Sequence, residues 1–178
     1  LSRQFSSQSW NDTRVEGALP YEWNQTRYSN LALTNHAGFT LLAWAQLFRL
    51  TNDNRFLSAA IKYANWLLSF QVTKSDTPWG DHTYANDTMA VGGFYYGYNP
   101  DKRDFEWRVA LSLWSSAYAI RGLLHLAQLT DNQRYLRSAI MAADWLTRMR
   151  YSDRQSIPQQ SLTQIRHISS SWWGHYPQ

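Results

Sequence analysis

Residues 51–71 read TNDNRFLSAAIKYANWLLSFQ, and 79 residues further on positions 130–150 read TDNQRYLRSAIMAADWLTRMR. Eight of the 21 positions are identical: Thr51/Thr130, Arg55/Arg134, Leu57/Leu136, Ala60/Ala139, Ile61/Ile140, Ala64/Ala143, Trp66/Trp145 and Leu67/Leu146. Each copy opens on an Asn/Asp turn of the kind that caps a helix. Apolar residues then recur at the helical spacing of three and four: Phe56, Ala60, Tyr63, Leu67 and Phe70 in the first copy, Tyr135, Ala139, Ala142, Leu146 and Met149 in the second. An Ala- and Leu-rich stretch precedes each copy. The pattern therefore predicts four helices, Leu33–Leu50, Asn54–Phe70, Leu111–Leu129 and Gln133–Met149. The turns Thr51-Asn52-Asp53 and Thr130-Asp131-Asn132 are so short that the helices they join must run antiparallel.

The expected fold is all-α: two antiparallel helical pairs, about 33–70 and 111–149, within one domain spanning residues 1–178. Three long segments without helical periodicity remain, 1–32, 72–110 and 151–178. Each precedes the first helix of a pair or follows the second, so all three should emerge at one end of the array, opposite the short turns. They carry six of the ten Trp, eight of the eleven Tyr and ten of the 13 acidic residues. One aromatic and acidic face follows from that topology.

Composition narrows the function classes. At 178 residues with 44% hydrophobic content the chain can bury a substantial single core. The longest apolar stretch, near Leu41–Leu50, is interrupted by Gln46 and Arg49 and is too short to span a bilayer. No signal-type segment leads the chain, and Leu1-Ser2-Arg3-Gln4 reads as an interior or processed start. The formal charge is +4, with 14 Arg against three Lys, but the arginines are scattered and form no stripe, which argues against nucleic acid as a partner. The absence of cysteine removes disulfides, thiolate catalysis and common zinc sites, and no metal or cofactor is expected. There is no GxGxxG, Walker, HExxH or G-x-S-x-G motif. The sequons at Asn11, Asn24 and Asn86 lean towards a secreted or periplasmic protein.

Paired helices of the form AYAIRGLLHLAQLT-DNQRYLRSAIMAADWL, with Trp79-Gly80, Gly92-Gly93-Phe94 and Trp173-Gly174 in the segments between and after them, resemble the (α/α) toroid enzymes. That group comprises glycoside hydrolases, polysaccharide lyases and sugar epimerases, with terpene cyclases and prenyltransferases as cousins. The resemblance implies an oligo- or polysaccharide partner. The Asp cluster of the toroid terpene cyclases is missing, which disfavours the cousin activities. Two pairs make only an arc of a toroid, to be completed by flanking sequence of a longer protein or by copies of this chain.

The stretch 78–107 holds the residues best suited to glycan chemistry. Trp79, Tyr95, Tyr96, Tyr98 and Trp107 offer aromatic faces for the C–H side of a sugar ring. Asp81, Asp87 and Glu106 are the candidate acids, because glycoside hydrolysis needs two carboxyls across the scissile bond. An Asp desolvated beside Trp would have its pKa raised, as a general acid requires. The competing reading makes each of these aspartates a helix cap or Asx-turn. In a lyase, His82 would take the proton beside a uronic carboxylate, Tyr84 would pass it to the leaving oxygen, and Arg103 would hold the carboxylate. His125 reads as a core histidine, and Trp66 and Trp145 as packing residues. The expected activity is glycan hydrolysis; elimination on uronic polymers and a non-catalytic glycan- or protein-binding module are the alternatives.

Overall fold

The computed structural model describes residues 12–20, 32–73, 88–100, 104–111 and 113–149. Four helices dominate it: α1 (Ala37–Thr51), α2 (Asn54–Leu68), α3 (Leu113–Thr130) and α4 (Gln133–Arg148). The repeat is reproduced in detail at both turns. Asn52 (φ 53°) and Asp131 (φ 51°) take the left-handed conformation that ends the first helix of each pair, a role open to Asn and Asp. The next residues, Asp53 and Asn132, cap the second helices by accepting from the amides of Arg55 (2.9 Å) and Arg134 (3.0 Å). Thr51 and Thr130 each return a hydroxyl hydrogen bond to the carbonyl four residues earlier, Leu47 and Leu126.

α1 and α3 share the largest helix–helix contact, each with its own partner packed alongside, while α2 and α4 meet only at their edges. Small residues allow the close approach of α1 and α3. A Cβ on Gly38 would lie 1.9 Å from the Tyr118 carbonyl oxygen, and one on Gly122 would lie 2.8 Å from the Gly38 oxygen. Behind this crossing the core is built from Leu41, Ala60, Tyr63, Ala64, Leu67, Leu123, Leu126, Tyr135, Ala139, Ala142 and Trp145. These include most of the predicted apolar stripe of α2 and α4, whose period is set by the need to bury one face.

The all-α expectation needs one correction. A three-stranded antiparallel sheet, β1 (Ala32–Leu33), β2 (Tyr95–Asn99) and β3 (Asp104–Leu111), runs in the order β1-β2-β3. It occupies the starts predicted for two helices, so α1 begins at Ala37 and not Leu33, and α3 at Leu113 and not Leu111. β2 carries Tyr95, Tyr96 and Tyr98, β3 carries Phe105, Trp107 and Val109, and Asn99-Pro100-Asp101 at the end of β2 is turn chemistry. That hairpin signal was readable in the sequence, where the helical period of the neighbouring segments overshadowed it.

Candidate functional site

The sheet stands where the long segments were expected to meet. β1 comes from the end of the first segment and β2 and β3 from the middle one, so both segments share one end of the helical array. Thr34, just after β1, fastens that end: its Oγ1 lies 2.6 Å and 2.8 Å from the carbonyls of Tyr95 and Tyr96, and 2.7 Å from Ser115 Oγ at the start of α3. The flanks of the 74–87 stretch also lie side by side. The Val72 amide donates to Gly93 and the Gly92 amide to Val72, both at 2.9 Å. Gly92 has φ 99°, and a Cβ there would fall 2.1 Å from the Met141 carbonyl of α4, so only glycine fits. Gln71, buried next to it, donates to the carbonyls of Gly92 and Ser138 (both 3.0 Å) and accepts from Ser138 Oγ at 2.7 Å.

The most concentrated polar group among the described residues is Asp12, Arg14 and Tyr98. Asp12 is buried and caps a short 3-10 turn, Thr13–Val15. Tyr98 donates to its Oδ2 at 2.5 Å, and Arg14 donates through Nε to Oδ1 at 2.9 Å and through Nη2 to Oδ2 at 3.1 Å. The guanidinium carbon also sits 4.7 Å from the centre of the Tyr98 ring. Burial pushes the Asp12 carboxyl up, but the hydrogen bonds from Arg14 and Tyr98 together outweigh it and hold the group below its ordinary value of 3.8. Asp12 is therefore an ionised, occupied carboxylate, suited to fastening and unsuited to general-acid work.

An aromatic chain runs from this group into the helices. Tyr98 meets Phe70 edge-on (6.2 Å), Phe70 tilts against Trp66 (4.8 Å), Trp66 stacks on Tyr63 (5.3 Å) and Tyr63 meets Trp44 edge-on (5.8 Å). Trp66 Nε1 donates to the Arg14 carbonyl at 3.0 Å. Burial drives the Tyr63 phenol far above its usual range.

No family model, curated protein or solved structure matches this chain.

The candidate residues divide into three groups. Trp79, Asp81, His82, Tyr84, Asp87 and Arg103 lie outside the described residues. Glu106 and Trp107 lie on β3, where Glu106 is in register with Gly97 of β2. Tyr95, Tyr96 and Tyr98 lie on β2, and here the stacking expectation is corrected for two of them. Tyr95 and Tyr98 are fully buried in the core, so neither ring offers a face to a ligand, whereas Tyr96 is half-buried. Strict alternation would put Tyr96 and Tyr98 on one side of β2 and Tyr95 on the other; the register shift between Tyr95 and Gly97 breaks that pattern. Trp66 and Trp145 are buried, in keeping with packing roles. His125 is half-buried, and its Nδ1 has no hydrogen-bond partner among the described residues.

Asp12 was missed. Its signal was local: Asp12-Thr13-Arg14 repeats the Asp53-Asn54-Arg55 and Asn132-Gln133-Arg134 pattern of an Asn/Asp cap accepting from an Arg amide two residues on. Among the described residues no group of His, Asp or Glu is placed to hold a metal ion, and no helix is long and apolar enough to cross a membrane.

Proposed function

We propose that the protein is a carbohydrate-active arc of (α/α) toroid type, hydrolysing a glycan at the end of the helical array where the sheet lies. The observation that supports this reading is the joining of the first and middle long segments by β1, β2 and β3. That sheet carries Glu106 and Trp107, and the bonded pair Val72/Gly93 brackets the stretch containing Asp81 and Asp87. Asp81, Asp87 and Glu106 are the acids of the proposal, with Trp79, Tyr96 and Trp107 as ring contacts and two carboxyls sharing the acid and base or nucleophile roles.

The test is a screen of neutral and uronic oligosaccharides followed for new reducing ends and for unsaturated products. Hydrolysis predicts reducing ends without unsaturation, and loss of turnover in at least one of Asp81→Asn, Asp87→Asn and Glu106→Gln. Turnover surviving all three changes would refute the assignment. Unsaturated products that vanish in His82→Ala would establish the lyase alternative instead.

A second reading, a non-catalytic binding module, has one observation in its favour. The acid that is visibly held at this end, Asp12, is already saturated by Arg14 and Tyr98. Glycan retention without turnover, unaffected by the three carboxylate changes, would select it.

A further inference from the structure

The repeat reaches beyond the helical pairs. Asn11-Asp12-Thr13 is followed four residues after Thr13 by Gly17, and Asn86-Asp87-Thr88 is followed at the same distance by Gly92. The fold handles the described parts of both stretches alike. Gly17 (φ 86°) and Gly92 (φ 99°) are the two glycines with positive φ among the described residues. A Cβ on Gly17 would lie 2.5 Å from the Lys62 carbonyl oxygen of α2, and one on Gly92 would lie 2.1 Å from the Met141 carbonyl oxygen of α4. Lys62 and Met141 are themselves equivalent at the 79-residue step.

Just after each glycine an amide closes the same turn: Ala18 donates to the Val15 carbonyl at 2.9 Å, and Gly93 to the Ala90 carbonyl at 3.1 Å. Val15 and Ala90 are buried, while Thr13 and Thr88 are exposed. Each unit therefore opens with a turn seated on its second helix through a glycine that no larger residue could replace. The intervening chain differs in length, 45 residues from Gly17 to Lys62 and 49 from Gly92 to Met141. The docking is thus a property of the turn and not of the spacing.

In the first unit Asp12 caps this turn, its Oδ1 accepting from the Arg14 amide at 3.0 Å. Asp87 holds the same place in the second, with Met89 where the first has Arg14. We infer that Asp87 is the cap of the second docking turn, its carboxylate accepting the Met89 amide as Asp12 accepts that of Arg14. The first amides of a tight turn have no partner inside it, and an Asp side chain two residues back supplies one. The same bond recurs at Asp53 and Asn132. A carboxylate that accepts an amide is held ionised, the opposite of the state a general acid needs. Of the three acids considered for hydrolysis, Asp81 and Glu106 are then left to share the two roles. That consequence rests on the glycan reading, whereas the cap rests on the repeat alone.

NMR on the whole chain, following Asp87 and Met89, tests the cap. The Asp87 carboxyl should titrate below the ordinary value of about 3.9, and the Met89 amide proton should move with the same midpoint. In Asp87→Asn that movement should vanish while thermal melting stays near the wild type, since Asn132 makes the same cap elsewhere in the chain. Asp87→Ala should melt about 2–4 °C lower, the shift expected for a lost cap in a chain of this length. An Asp87 midpoint above the ordinary value, a Met89 amide that ignores it, or an Asn variant that melts as low as the Ala variant would overturn the inference. None of these readouts uses a glycan. A cap found as expected, beside turnover indifferent to Asp81→Asn and Glu106→Gln, would sink the hydrolytic reading and leave the cap standing.

Discussion

Tyr98 donates its phenolic hydrogen to Asp12 over 2.5 Å, joining two residues 86 positions apart in the chain. The bond fastens the first long segment to the central strand of the sheet and completes the coordination of a buried carboxylate. Replacing Tyr98 by Phe keeps the ring in the aromatic chain and removes only the donor. The expected cost is about 1–3 kcal/mol, the range for leaving a buried polar group short of a partner. Urea denaturation should show it as a lower midpoint with an unchanged slope, and an NMR titration should find the Asp12 pKa higher than in the wild type.

The depressed Asp12 pKa has a defined sign in stability. The folded-state value lies below 3.8 while the unfolded chain titrates near 3.8, so in that window the unfolded state binds more protons and stability rises with pH. The contribution is fully present above the unfolded value and is lost as pH falls through the folded one. Melting temperature measured from about pH 6 down to about pH 2 should therefore drop more steeply in the wild type than in Asp12→Asn. Equal slopes in the two proteins would show that Asp12 is not a source of the acid sensitivity.

Close approach of α1 and α3 predicts a sharp penalty for one methyl group. At Gly38 the added carbon would sit 1.9 Å from a backbone oxygen of Tyr118, an atom that cannot rotate away. Gly38→Ala should cost at least the ~1–3 kcal/mol of ordinary overpacking. Gly122→Ala should also destabilise, since its carbon would meet Gly38 O and Leu41 Cβ, both at 2.8 Å. The two changes push the same helices apart, so the double variant should lose less than the sum of the singles in calorimetric melting.

Asp53 and Asn132 cap equivalent helices by the same bond; Ala at Asn132 should cost about 1 kcal/mol, and Ala at Asp53 should destabilise in the same direction. They share no partner, so the double variant should lose the sum within a few tenths of a kcal/mol. A strongly non-additive result in chemical denaturation would mean that the two pairs do not unfold as one unit.

Gln71, just beyond the end of α2, and Ser138 of α4 are joined by two buried bonds. Ser138→Ala removes the donor that satisfies Gln71 Oε1, with an expected loss of about 1–3 kcal/mol. Amide exchange near Gly92 should accelerate in that variant, because the same Gln71 side chain also donates to the Gly92 carbonyl.

The helices were legible because their signals are local. Capping bonds reach two residues and the apolar period reflects a single buried face, so Asp53, Asn132, Tyr63 and Tyr135 could be placed without knowing the rest of the chain. The candidate site was less so. Tyr95, Tyr96 and Tyr98 are alike in sequence, yet two of them close the core and one is half-buried, a pattern that strand alternation does not give and that goes with the register shift between Tyr95 and Gly97. Asp12 carried a readable capping pattern, but nothing near it announced Tyr98 as its partner.

Leu47 and Leu126 mark the boundary between the two kinds of information. Both are leucines one repeat apart, and each accepts a hydrogen bond from the threonine four residues later. That much follows from the chain alone, because a helix and its last turn are built from neighbours in sequence. One is 39% exposed and the other fully buried, which only the tertiary packing of the helices decides. Burial belongs to a pair of surfaces, and a residue cannot encode by itself whether the second surface is there.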